Sequence, residues 1–269
     1  MGVVNVTPDS FSDGGEWFDA ASARQHGREL LDQGADLVDV GGESTRPGAA
    51  RPDADEELRR VLPVVGDLAR LGAVVSVDTM RAEVAERAVH AGARLVNDVS
   101  GGRADPDMLS TVAALKVPFV CMHWRGPSAD MQSRATYADV VRDVLAELGQ
   151  QVAAALAAGI AADHLIVDPG FGFAKTSEHN WELLRRLDAL DALELPVLAG
   201  ASRKTFLGTL LTDGSGQARP AAQRDHATVA LSTILARQGV WGVRVHAVRP
   251  SRDAVAVVER LADTSRSPG

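Results

Sequence analysis

Phe119-Val-Cys-Met122, then Val141 to Gly159 (VRDVLAELGQQVAAALAAG), then Leu165-Ile-Val-Asp168 is the stretch whose reading decides the fold. The outer pieces are short and almost wholly apolar, as in strands covered on both faces. Between them Val141, Val144, Leu145, Leu148, Val152 and Leu156 recur at helical spacing, and Gly159 stops the run. Strands covered on both faces and joined through a helix belong to a parallel sheet. Six further runs of the same kind are Val3 to Val6, Leu37 to Val40, Val74 to Val77, Leu95 to Asn97, Val197 to Gly200 and Gly242 to Val245. Each ends in, or leads into, a polar residue or Gly. Eight strand–helix units in 269 residues favour closure into an α/β, single-domain (β/α)8 TIM barrel over an open doubly wound sheet. The barrel is expected over residues 1–263, with 264–269 (TSRSPG) a flexible polar tail. Thr212 to Pro220 (TDGSGQARP) reads as a flexible surface insertion between helical stretches Arg203 to Leu211 and Ala221 to Arg237.

Composition sets bounds on partners. Hydrophobic residues make up 45% of the chain and charged ones 24%, which supplies a large core. A net charge of −8 without any Lys/Arg run argues against nucleic acid as a partner. Cys121 is the single cysteine, so neither an intrachain disulfide nor a Cys-based zinc cage is available, as suits a reducing, cytoplasmic setting. No apolar stretch is long enough to span a membrane, and no basic-then-apolar leader is present. The first residues already read as a strand edge, so a few upstream residues of the natural protein are expected to be missing.

In a barrel of this kind the loops after the strand C-termini build the site, and here they are rich in polar groups. They comprise Asn5 to Gly15, Gly41 to Gly48, Asp78-Thr79, Asn97-Asp98, His123-Trp124, Asp168 to Lys175, Ser202 to Lys204 and Arg244 to His246. Each residue alone has a plainer explanation. Asp78, Asn97 and Asp168 can cap the helices that follow, Lys204 can be a solvated charge, and His246 a structural histidine. Together they point to a pocket. Carboxylates and an amide at strands three, four and six match the N–H and C=O edge of a flat heterocycle. Arg46, Arg203, Lys204, Arg244 and His246, with the Asn5 amide, suit a phosphate or diphosphate. Such a separation of signs implies a substrate with two ends. The histidines at 90, 164, 179 and 226 lack a second ligand at useful spacing, so Mg²⁺ held mainly by substrate phosphates fits better than a His/Cys metal site. No Ser-His-Asp order or G-x-S-x-G elbow supports covalent acyl chemistry.

The segments NVTPDSFSDGG, GGESTRPG, VDT, NDVSGG, DPGFGF, SRK and RVH resemble, in order, the signature segments of the dihydropteroate synthase family, over residues 1 to about 262. The resemblance implies a TIM barrel, usually a homodimer, that condenses 6-hydroxymethyl-7,8-dihydropterin diphosphate with p-aminobenzoate in folate synthesis, with Mg²⁺ as cofactor. It assigns Asp78, Asn97, Asp168, Lys204 and Arg244 to the pterin, and Asn5, Arg46, Arg244 and His246 to the diphosphate, with Asn5 also on the metal. Thr45, Pro47, Phe173 and Thr205 fall to the aminobenzoate site, where sulfonamides would compete. Asp13, Arg46, Lys204, Arg244 and His246 are the expected catalytic set. Phe11 and Asp13 lie in a first loop, and Ser44 to Pro47 in a second, both expected to close over the reacting centre. Two departures stand out: Ala247 where the family often has Asp, which leaves the orientation of His246 open, and Thr205 where many members have Ser. A non-catalytic pterin-binding paralogue and a pterin-dependent methyltransferase on the same barrel remain as alternatives.

Overall fold

The structure, a computed structural model, describes residues 1–7, 20–43, 51–127 and 130–263. Its strands are β1 (Gly2–Asn5), β2 (Leu37–Gly41), β3 (Val74–Asp78), β4 (Leu95–Asp98), β5 (Phe119–Met122), β6 (Leu165–Asp168), β7 (Leu198–Ala199) and β8 (Gly242–Val243). Among the described residues the helices are α1 (Ala20–Asp32), α2 (Ala54–Arg70), α3 (Ala82–His90), α4 (Met108–Leu115), α5 (Val140–Ala157), α6 (Ser177–Arg185), α7 (Thr205–Leu210), α8 (Asp225–Arg237) and α9 (Val248–Ala262). Strands β1 to β6 pair in parallel in sequence order, and β7 pairs with β8. Single parallel bridges, Val167 with Val197 and Gly2 with Val245, join the two pieces and close the ring. Val3 N–H to Val245 O (3.2 Å) and Val245 N–H to Met1 O (2.9 Å) seal one seam. That closure excludes the open sheet.

Strand alternation divides the interior into layers. Val4, Val38, Val75, Val77, Val96, Cys121 and Val167 face the helices and form the outer core. The opposite slots enter the lumen, whose lower layer is an apolar plug of Met1, Leu95, Val120, Ile166 and Leu198, with Leu37 against it. One step further along the same faces, toward the C-terminal ends, the period-two slots become Asp39, Asn97, Met122, Asp168 and Gly200. The sequence therefore changes from apolar to polar midway up the lumen, and the polar half is the site.

Helix α5 shows how the periodic reading translates. Asp139 caps it, accepting from Val141 and Arg142 N–H, and Val141, Val144, Leu148 and Val152 are buried as their spacing predicts. The stripe ends on Ala155 rather than Leu156, which is exposed; the small side chain is the one that meets the strands. The 212–220 segment is exposed, yet it is organised by Asp213, whose Oδ1 accepts from Ser215 N, Ser215 Oγ and Gln217 N. The helices beside it start later than their spacing suggests, at Thr205 and Asp225.

Candidate active site

The floor of the polar lumen is one connected set of hydrogen bonds. Asp39 Oδ2 accepts from Arg244 Nε (2.6 Å) and Asn97 Nδ2 (2.9 Å), and Arg244 Nη2 donates to Asp78 Oδ2 (2.8 Å). Strand register explains the meeting: Gly41 lies opposite Asp78, and Asp78 opposite Asn97. Asp39, fully buried in the middle of β2, is absent from the strand-end set read from the sequence. Its signal is a charged residue at an inward slot of an otherwise apolar strand. Burial raises the Asp78 carboxyl above its usual range; Arg244 opposes that, while Asp39, Asp98 and Glu43 add to it.

Capping does not account for Asp78 or Asn97. At the start of α3, Arg81 N–H goes to Thr79 Oγ1 and Ala82 N–H to Asp105. Asp168 has both roles. Its Oδ1 accepts Gly170 N–H at 2.7 Å, and its Oδ2 lies 3.4 Å from where a side chain on Gly200 would begin. Burial moves Asp168 up to about 6, with the Gly170 N–H, Lys204, Arg244 and Lys175 holding it from rising further. Asp98, next to Asn97 but on the outward face, organises its own loop by accepting from Ser100 N, Ser100 Oγ and Gly102 N.

Lys204 places its ammonium 4.0 Å from the centre of the Phe173 ring, and burial, then Arg244, lowers it to about 8. Gly172 makes this approach possible. Its φ is +78°, and a Cβ there would fall 2.8 Å from Lys204 Cδ. Phe173 is thus packed under Lys204, whereas Thr205 is exposed at the start of α7. Asn5 ends β1 at the same rim.

His246 Nδ1 is hydrogen-bonded to Ser202 Oγ (2.9 Å), and the same oxygen accepts the His246 backbone N–H (3.2 Å). Burial, reinforced by Arg203, Arg244 and Lys204, holds the imidazole down to about 3, so it is neutral at pH 7. Ser202 thereby supplies the orientation that Ala247 does not. Arg203 differs from its sequence reading as part of the anion set. It is committed to Asp225 through Nε (2.6 Å) and Nη2 (2.7 Å), in a left-handed backbone conformation with φ +58°. Arg244, likewise, sits among carboxylates rather than apart from them. Phe11, Asp13, Ser44, Thr45, Arg46 and Pro47 lie outside the described residues.

A second buried network holds the loop after β6. Lys175 donates to His123 Nδ1 (3.0 Å), Gly170 O (3.0 Å) and Phe173 O (3.1 Å). His123 Nε2 in turn donates to Glu147, which binds Arg125, and Arg125 stacks on Tyr137, whose hydroxyl donates to Ala174 O. Burial lowers Lys175 to about 7 and His123 to about 4. Every acceptor around Lys175 belongs either to the loop carrying Phe173 or to β5's end, so this cation fixes one wall of the pocket.

A closed barrel with a polar lumen of three acids, an amide and two cations is the frame of an enzyme that grips a flat heterocycle. The model of the pterin binding enzyme family matches residues 1–246, and the chain belongs to that family. Its relatives there are dihydropteroate synthases. That of Mycobacterium leprae (strain TN) is 54% identical over 259 residues, covering 96% of this chain and 91% of the relative. The solved Xanthomonas albilineans enzyme with 4-aminobenzoic acid is 44% identical, with a TM-score of 0.90 over 98% of this chain and 93% of its own. The Yersinia pestis enzyme in a sulfonamide drug complex is 42% identical, with a TM-score of 0.91 over 98% and 94%.

Proposed function

We propose that this barrel is a dihydropteroate synthase, transferring the pterin-methyl group of 6-hydroxymethyl-7,8-dihydropterin diphosphate to p-aminobenzoate and releasing pyrophosphate. The observation that carries it is the lumen set of Asp78, Asn97, Asp168, Lys204 and Arg244, brought together from five strands and their loops. Acceptors from β3, β4 and β6 face donors from the ends of β7 and β8 around a slot floored by Asp39, as a pterin edge requires.

The reaction breaks the C–O bond between the pterin methylene and the diphosphate, the electron pair leaving with pyrophosphate. The aromatic amine then attacks the methylene cation, a C–N bond forms, and the nitrogen loses a proton. No enzyme nucleophile is required. Neutral His246, in the tautomer that carries its proton on Nε2, donates toward the departing oxyanion, and Arg244, held at Nε and Nη2, keeps Nη1 for substrate. Asp78 and Asp168 place negative potential beside the developing cation. Phe173 and Thr205 are assigned to the aminobenzoate, with Thr45 and Pro47 from the second loop. Asp13 and Arg46 complete the catalytic set by the motif match.

Among the described residues, no three His, Cys, Asp or Glu side chains gather as a metal cage. One amide oxygen, that of Asn5, fits an ion carried mainly by substrate phosphates. Mg²⁺ bound there would neutralise charge on the leaving pyrophosphate. A homodimer and a cytoplasmic site of action belong to the same reading. Exposed Ile234 on α8 and Val257 and Leu261 on the adjacent α9 support a self-association face.

The test is direct. Protein supplied with Mg²⁺, dihydropterin diphosphate and p-aminobenzoate should yield equal amounts of dihydropteroate and pyrophosphate, with a sulfonamide competing against p-aminobenzoate. Pterin binding without turnover would instead identify a non-catalytic paralogue.

A further inference from the structure

The Asn97 side chain has two ends of opposite polarity, and Asp39 decides which one the lumen sees. A carboxylate accepts only, so the group facing Asp39 Oδ2 at 2.9 Å is the Asn97 amide nitrogen. The carbonyl oxygen is then directed away from Asp39. The same Oδ2 takes Arg244 Nε at 2.6 Å, so one atom locks both an amide and a guanidinium. Asp39 is fully buried, and its other oxygen has no hydrogen-bond partner among the described residues. The hydroxyl of its register neighbour Ser76, also buried, likewise has no hydrogen-bond partner among the described residues. Among the described residues, the donors to Asp39 are the side chains of Asn97 and Arg244 alone.

We propose that Asp39 is a specificity-determining positioning residue: by holding the Asn97 amide nitrogen and Arg244 Nε, it makes Asn97 an acceptor toward the ligand and so selects a heterocycle that offers N–H there. This deepens, and rests on, the reading of the lumen as a pterin site. A 2-amino heterocycle satisfies the acceptors Asn97 Oδ1 and Asp168 together. Its 2-oxo counterpart would set a carbonyl against them, leaving buried acceptors unpaired. Releasing Asn97 from Asp39 would let the amide rotate and offer N–H to that carbonyl. Discrimination, rather than binding as such, is the property Asp39 controls.

The experiment measures binding of pterin and of lumazine, its 2-oxo analogue, by calorimetry to the full chain and to Asp39→Asn. The unaltered chain should favour pterin at least about a hundredfold, and in D39N that ratio should fall about tenfold or more through weaker pterin binding, lumazine holding or gaining. A merely structural role would weaken both ligands by one factor, and that outcome, or equal binding of both by the unaltered chain, overturns the proposal. Failure of the unaltered chain to bind pterin at all removes the underlying reading and the proposal with it, whereas intact pterin binding with an unchanged ratio in D39N overturns the proposal alone. Should D39N not fold, the Asn97 side-chain amide of the unaltered protein decides by NMR. One slowly exchanging, downfield proton is expected; two protons at free-asparagine positions would overturn the inference.

Discussion

Ser202 and His246 hold each other through two hydrogen bonds: the Ser202 hydroxyl pairs with His246 Nδ1, and its oxygen accepts the His246 backbone N–H. The pair fixes the imidazole orientation without a neighbouring acid at position 247. Ser202→Ala should free the ring and lower kcat about tenfold, with a smaller change in the pterin-substrate KM. Ala247→Asp in that background should recover part of the loss. Steady-state kinetics on the single and double variants check this.

Asp168 gives the acid limb of activity. Its carboxyl, raised to about 6, accepts ligand N–H only when ionised, so kcat/KM should fall as pH drops through about 6. Folding stability runs the other way. A folded pKa above the unfolded value means that the folded state binds the extra proton, so this contribution is fully present below about 4 and is lost as pH rises through 6. Asp168→Asn should therefore raise stability at pH 8 by about 1–3 kcal/mol while abolishing tight pterin binding. Thermal melts at pH 4 and pH 8 separate the two effects; an equal shift at both would refute the assignment.

Lys175→Met should remove three donor contacts and leave His123 Nδ1 and two carbonyls unpaired, costing roughly 2–4 kcal/mol. Because Phe173 hangs on that loop, the KM for p-aminobenzoate should rise more than that for the pterin substrate. Equal changes in the two constants would show that the network is structural only.

Gly41 and Gly200 are lumen glycines outside the left-handed region. A methyl group at 41 would approach Asp78 Cβ to 3.3 Å, and one at 200 would approach Asp168 Oδ2 to 3.4 Å. Gly200→Ala and Gly41→Ala should each weaken pterin binding about tenfold, while the melting temperature changes little. Calorimetry beside a thermal scan is sufficient.

Arg203 and Arg244 should respond differently to truncation. Arg203→Ala breaks a half-exposed pair with Asp225 and should cost about 1 kcal/mol of stability, leaving diphosphate binding nearly intact. Arg244→Ala leaves Asp39 and Asp78 buried without their cation and should lose both stability and substrate affinity. Comparable substrate-affinity losses in the two would restore Arg203 to the anion set.

The strands and α5 were legible in the sequence because burial on known faces imposes a period, and the rim residues because barrel strands deliver their ends to one mouth. Asp39 was not, since reading Leu37 to Val40 as one apolar run hides the inward slot a step below the rim. Arg203 was misleading for a different reason. Its partner Asp225 is remote in sequence and reaches it only through the packing of α8. In the sequence Lys175 is only the end of the polar loop from Asp168; the folded chain alone supplies its three acceptors. The departure at Ala247 was visible, but Ser202, the residue that answers it, lies on a different strand's loop.

The apolar plug of Met1, Leu95, Val120, Ile166 and Leu198 makes the lumen a blind alley. Whatever enters by the rim must leave by it. On the proposed function, a flat ligand seated against Asp39 and Arg244 would lie deeper than a guest held at the rim, and would have to be seated first. Traffic through the barrel would then be ordered by its architecture, with the heterocycle preceding the aromatic amine and the joined product withdrawing past the same residues that admitted its parts.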